Sequence, residues 1–171
     1  MGATTLGMGR PHAERIRYDL TEIRKELTET VKDLTPDEMN WVPNADTGMR
    51  PIKQLLQEIG TMEAVTLRMA TSGEYLDWVA VTQSLDKSNI TDLLAAMSEI
   101  RKTTVAYLES VTEEQLETPM PLNAEWQGYF GVDSLEPEEL LRWIVRHEYY
   151  HLGQIITYQW QRGQNPNHKA A

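Results

Sequence analysis

The stretch that decides the fold is Ile144-Val145-Arg146-His147-Glu148-Tyr149-Tyr150-His151-Leu152-Gly153-Gln154-Ile155-Ile156. Its apolar residues recur at helical spacing, not at the alternating spacing of a strand. In a helix, residues four apart stand one turn apart on one face, so the rings of His147 and His151 can point at one small target. A divalent metal ion is the commonest target that takes two neutral imidazoles so arranged. The chain has four histidines, and the five residues from His147 to His151 hold half of them.

Working outward, the repeat around this pair predicts a helix over about Leu135 to Arg162, with Ser134, Pro137 and the glutamates 136, 138 and 139 marking its start. The glutamates read as complements to the helix dipole. Three earlier stretches carry the same period. One runs from about Pro11 to Leu34, with Ile16, Leu20, Ile23, Leu27, Val31 and Leu34 inward. The next runs from about Arg50 to Thr71, with Ile52, Leu55, Leu56, Ile59, Met62, Thr66 and Met69 inward, and Ser72-Gly73 as its stop. The third runs from about Asn89 to Ser110, with Asn89 or Ser88 as its cap. Four amphipathic helices of this length predict an all-α four-helix bundle. Thr35-Pro36-Asp37-Glu38 breaks the first helix and starts a short extra turn. The connections after the second and third helices, about 73–87 and 111–133, are too long for plain turns, so the helices need not alternate up and down. The later connection holds Trp126, Tyr129 and Phe130.

Composition sets the frame. At 171 residues the chain is read as one domain over 1–171, with 1–9 and 164–171 as loose ends. Cysteine is absent, which removes disulfides, thiolate ligands and a cysteine nucleophile. A net charge of -10 without a basic stripe argues against nucleic acid and against anionic membrane surfaces. No run approaches the length of a membrane span, and the N-terminus lacks the pattern of a secretory signal. A cytoplasmic protein is expected.

His147-Glu148-x-x-His151 also matches the zincin signature, in which the glutamate is a general base. The rest of that pattern is missing: beyond His151 there is no Glu or Asp, and one histidine, His168, in a Pro/Asn-rich tail. The third ligand is therefore expected upstream. Glu58 stands at the edge of the second helix's apolar stripe, and His12 and Glu63 are the other candidates. Glu148 falls near the centre of the fourth stripe; it is either a proton carrier or, the preferred reading, an acceptor for a ligand ring or for a buried Arg or Tyr. Tyr149 and Tyr150 read as packing, Gly153 and Gln154 as close helix packing, and Met49, Met62, Met69 and Met97 as core. Trp143 and Trp160, off the main arc, suit a dimer contact.

Pro51-Ile52-Lys53-Gln54-Leu55-Leu56-Gln57-Glu58-Ile59-Gly60-Thr61-Met62-Glu63, followed by His147-Glu148-Tyr149-Tyr150-His151-Leu152-Gly153-Gln154-Ile155, resembles the DinB-like (DinB/YfiT) superfamily over nearly the whole chain. The resemblance implies a four-helix bundle, dimers, and a metal held by one histidine of the second helix and two of the fourth. Glu58 stands where that first histidine is expected, His147 and His151 match the later pair, and Glu63 matches a common glutamate. Two imidazoles and a carboxylate still make a competent donor set for zinc or nickel, with iron(II) or manganese as further candidates. The activities implied are those of thiol-S-transferases using low-molecular-weight thiols, and of isomerases. The expected function is thus a metal-dependent transferase or hydrolase acting on a small molecule, with Trp126, Tyr129 and Phe130 walling its pocket. The alternative is a non-catalytic dimeric bundle that binds a small ligand or partner and whose metal site is structural or vacated.

Overall fold

The computed structural model describes residues 11–164, except for the side chain at position 45. The tails 1–9 and 165–171, and with them His168, lie outside the described residues. Gln164 is described and is not loose, since its N–H donates to Gln159 O and its side chain to Glu38.

Four long helices carry the fold: α1 (His12–Val31), α3 (Ile52–Ser72), α5 (Ile90–Ser110) and α8 (Pro137–Gln161). Between them lie short helices α2 (Pro36–Asn40), α4 (Trp78–Ser84), α6 (Glu113–Glu117) and α7 (Ala124–Phe130), and a 3₁₀ turn (Ala45–Thr47). Two-residue strands β1 (Met120–Pro121) and β2 (Ser134–Leu135) pair antiparallel. The local signals act as expected. Thr35 and Glu38 form a capping box on α2, Asn89 accepts from Asp92 N to cap α5, and Gly73 ends α3 at φ 70°, which a glycine adopts without strain. The start of α8 differs. Ser134 pairs in β2, and the helix begins at Pro137 behind Glu136.

Packing sets an order that is not a simple meander. α1 packs on α5 and α8, as does α3, so α1 and α3 face each other across the bundle diagonal, and so do α5 and α8. One core cluster joins Leu27 and Val31 late in α1 to Ile52 and Leu55 early in α3, Leu93 early in α5 and Ile155 late in α8. A second joins Ile16, Leu67, Leu108 and Leu141 at the opposite ends of the same helices. Hence α1 and α8 run one way, and α3 and α5 the other. The α3–α5 connection must therefore travel back along the bundle. α4 lies against α3 on this return, held by Thr61 Oγ1 3.0 Å from Thr82 Oγ1 and by Gln57 donating to Leu85 O. Gly60 admits Leu85 there: a Cβ at position 60 would stand 2.7 Å from Leu85 Cδ1. Gly153, read from sequence as the close-packing glycine, would meet nothing within 4 Å. That residue faces solvent.

Between the two core clusters sits a layer of charge with one residue from each long helix: Arg24, Glu63, Arg101 and Glu148. Both glutamates are 0 % exposed. Arg24 donates to Glu148 Oε1 at 2.6 Å and to Glu63 Oε2 at 2.8 Å. Arg101 donates to Glu63 Oε1 at 2.6 Å and to Glu148 Oε2 at 2.5 Å. Thr104 Oγ1 adds 2.7 Å to Glu63 Oε1. Burial pushes the Glu63 carboxyl up, yet the Arg101 and Arg24 charges outweigh it and hold it below its ordinary value. Among the described residues, no helix is long and apolar enough to cross a membrane.

Candidate metal centre

Successive helical residues point about 100° apart, so His147 and Glu148 enter different spaces. Glu148 turns into the charged layer. His147 turns toward α3, and His151 follows one turn later; they are 7 % and 2 % exposed. Their Nε2 atoms face each other at 3.1 Å. From α3, Glu58 Oε1 stands 3.9 Å from His147 Nε2 and 3.7 Å from His151 Nε2. These three side chains form one group able to hold a metal ion.

The donor geometry fits that role. A point equidistant from the three atoms lies about 2.1 Å from each, within the bond range of roughly 2.0–2.2 Å for zinc with imidazole and carboxylate ligands. The carboxylate is too far from either ring for a hydrogen bond. Burial pushes the Glu58 carboxyl up, but the His147 and His151 rings and the Arg50 guanidinium hold it well below the usual carboxylate range. Arg50 forms an ion pair with Glu58 Oε2 without hydrogen-bond alignment.

His151 is oriented from behind. Its Nδ1 donates to Gln154 Oε1 at 2.7 Å, and Gln154 Nε2 donates to the Tyr150 hydroxyl at 3.2 Å. In the neutral ring this leaves the Nε2 lone pair facing the site, the usual support for a metal-bound histidine. Sequence reading assigned Gln154 to packing. Its i, i+3 spacing from His151 was the available signal.

A cavity of about 300 Å³ opens beside Glu58 and His147. Met62 and Val65 of α3, Tyr75 and Trp78 from the α3–α5 return, and Glu125, Trp126 and Tyr129 of α7 complete its wall. Two of the three expected wall residues, Trp126 and Tyr129, are therefore present. Phe130 is not; it stacks behind Trp126 at 5.4 Å between ring centroids. Burial and the Glu58 charge push the Tyr129 phenol up, so it remains a protonated donor at neutral pH.

The other candidates are placed elsewhere. His12 does not join the imidazole pair: its Nδ1 lies 2.5 Å from Glu138 Oε2, with Glu113 and Glu117 beyond. Glu138 therefore clasps α1 to α8 besides complementing the helix dipole. Glu63 belongs to the charged layer. Glu148, with both oxygens accepting from guanidiniums, has the contacts of a structural partner and none that would let it carry protons for the site. Trp143 is half-buried and packs against Tyr129, Phe130 and His147. Tyr149 and Tyr150 are exposed at 48 % and 64 %, and Met49 at 37 %, so none of them is core.

Comparison with known proteins agrees with this architecture. Among curated proteins nothing matches. Among solved structures, the chain is similar to a DinB-like protein, YjoA, from Bacillus subtilis, with 21 % identity, a TM-score of 0.65, and coverage of 88 % of this chain and 94 % of that one. It is also similar to YfiT from Bacillus subtilis, described as a probable metal-dependent hydrolase with an unusual four-helix bundle topology. There the identity is 15 %, the TM-score 0.69, and coverage 96 % of this chain and 94 % of that one. A family model of the DinB superfamily matches residues 19–155, a span that takes in all three candidate ligands, all four long helices in whole or large part, and both wall-forming connections: the chain belongs to the DinB superfamily.

Proposed function

We propose that the protein is a metal-dependent enzyme, a hydrolase or a thiol-S-transferase, whose divalent ion is held by Glu58, His147 and His151. The observation that carries this reading is the convergence of three donor atoms, within 3.9 Å of one another, beside a cavity. When bound, such an ion lowers the pKa of a water or thiol and polarises an electrophile. The chain's own residues supply the rest. Gln154 fixes the His151 ring, Trp126 and Met62 exclude water from one side, and the Tyr129 hydroxyl is a donor at the wall. Zinc or nickel suits two imidazoles and one carboxylate, with iron(II) or manganese next. A low-molecular-weight thiol is the co-substrate of the transferase variant of this reading. We place the enzyme in the cytoplasm as a homodimer, with Trp160, 54 % exposed, as its contact candidate. The non-catalytic alternative, a structural or vacated site, has the two rings bonded to each other, to water or to Glu58; the 3.1 Å contact between the Nε2 atoms is compatible with it, whereas Glu58 lies 3.7 and 3.9 Å away.

Metal analysis by mass spectrometry on protein purified without a histidine tag, then reloaded with Zn, Ni, Mn or Fe(II), tests the site. One ion per chain is expected, and none in His147→Ala. Activity is then sought on ester, amide and thiol–electrophile panels. If the loaded protein turns over no faster than His147→Ala on all of them, the enzyme reading fails.

A further inference from the structure

We propose that the cavity beside the metal centre takes a small molecule bearing a positively charged nitrogen, held by aromatic walls and by Glu125. The lining is unusual in its charge. Four aromatic side chains, Tyr75, Trp78, Trp126 and Tyr129, surround it, and Glu125 and Glu58 contribute carboxylates. No lysine or arginine is among the described lining residues, and Arg50, at the edge of the site, is taken up by Glu58. Aromatic faces carry negative potential and attract organic cations, most strongly where water is partly excluded. Apart from an ion at the proposed metal site, an anionic ligand would find no counter-charge on these walls.

Glu58 has neighbouring positive charge; Glu125 has none in the wall. Glu125 sits in the first turn of α7, next to Trp126, which is 6 % exposed and stacked on Phe130. Tyr129, one turn after Glu125, meets Trp126 edge-on at 6.2 Å. The carboxylate and the rings therefore come from one short helix, while Tyr75 and Trp78 face them from the α3–α5 return. A volume of about 300 Å³ lies at the lower end of the roughly 300–1,000 Å³ span of ligand pockets, so the occupant is small. The inference rests on the proposed metal site only for the ligand's orientation. An electron-pair donor end would face the ion and the cationic end the aromatic wall.

Choline and its neutral carbon isostere, 3,3-dimethylbutan-1-ol, differ in the charge and share the hydroxyl. Titrations of metal-free and metal-loaded protein with each, and with glutathione as an anionic thiol, are followed by tryptophan fluorescence and calorimetry. Choline is expected to bind at least about tenfold more tightly than the isostere, and, on the metal-free protein, glutathione more weakly than choline. Glu125→Gln should weaken choline about three- to fivefold, a modest loss because the carboxylate is solvent-exposed. Trp78→Leu, on a separate connection and half-buried, should weaken it about tenfold and leave the isostere less affected. Equal affinity for choline and the isostere, tighter binding of glutathione than of choline to the metal-free protein, or no binding of choline overturns the proposal. Choline binding without metal uptake would sink the metalloenzyme reading alone, and metal uptake without choline binding would sink this one alone.

Discussion

Two polar clusters are buried side by side on α3 and α8, and they are built on opposite rules. In the layer of Arg24, Glu63, Arg101 and Glu148, every carboxylate oxygen accepts from a guanidinium, and the two arginines also donate to Met97 O and Leu20 O. Charge cancels within it and each of the long helices contributes one member. In the cluster of Glu58, His147 and His151, two ring nitrogens face each other, a carboxylate stands beyond hydrogen-bond reach of both, and one side opens to a cavity. The first cluster is complete without a ligand. The second has donor atoms to spare. Adjacent residues, His147 and Glu148, belong one to each, so one helical step separates the two clusters.

The contrast breaks most readily at the charged layer. Arg101→Met leaves two buried carboxylates with one guanidinium between them, and should cost about 3–5 kcal/mol in urea unfolding. Replacing all four members with apolar residues of similar volume should recover much of that loss, because the pairs offset a large desolvation cost. Glu58→Gln, at the open cluster, should change metal-free stability far less; a comparable loss would erase the distinction.

Metal addition should act on the open cluster alone. At a free concentration one hundred times Kd, an ion that binds only the folded state stabilises it by about 2.7 kcal/mol, read as a rise in Tm. The rise should vanish in His147→Ala and persist in a folded variant of the charged layer. Gln154→Ala should then weaken metal binding by about 10- to 100-fold in competition with a chelator, with little effect on unfolding of the metal-free protein. If affinity is unchanged, Gln154 does not hold the ring.

The smallest expected effect lies outside both clusters, at Glu38. Backbone donation from Thr35, then the Gln164 and Arg162 side chains, lower its carboxyl from 4.5 to about 2. A lowered folded value means that its stabilisation is complete above 4.5 and is lost as pH falls toward 2. Glu38→Gln should flatten that part of the stability profile by about 1 kcal/mol or less. Glu63, Glu58 and Glu138 have the same sign, so an acid loss that remains in Glu38→Gln is expected from these other lowered carboxyls.

The four helices were legible because each buries one face, and Ile16, Leu20, Ile23, Leu27 and Val31 state the period without ambiguity. The ligand pair was legible because its spacing is local. Glu58 could be placed at the edge of a stripe, but choosing it over His12 and Glu63 needed the resemblance, since the partner of an edge residue depends on helix order. That order, with α1 and α3 across the diagonal, is set by where the long connections run. Their apolar residues show no period. Trp78 and Glu125 therefore stayed unassigned, and Trp143 was read as surface because its neighbours Tyr129 and Phe130 arrive from α7, outside any helical wheel.

The β1–β2 pairing, with Leu122 N–H donating to Asp133 O at 2.9 Å, draws the two ends of the α7 segment together at its base. Everything between those ends is a cassette fastened by main-chain bonds that any side chain permits. Mutation can rewrite its loops and its exposed faces, Glu125 and Tyr129 among them, while Leu122 and Trp126 keep it seated on α3 and α8. Exchange of this one segment would thus reshape the cavity wall and leave untouched the helices that carry Glu58, His147 and His151.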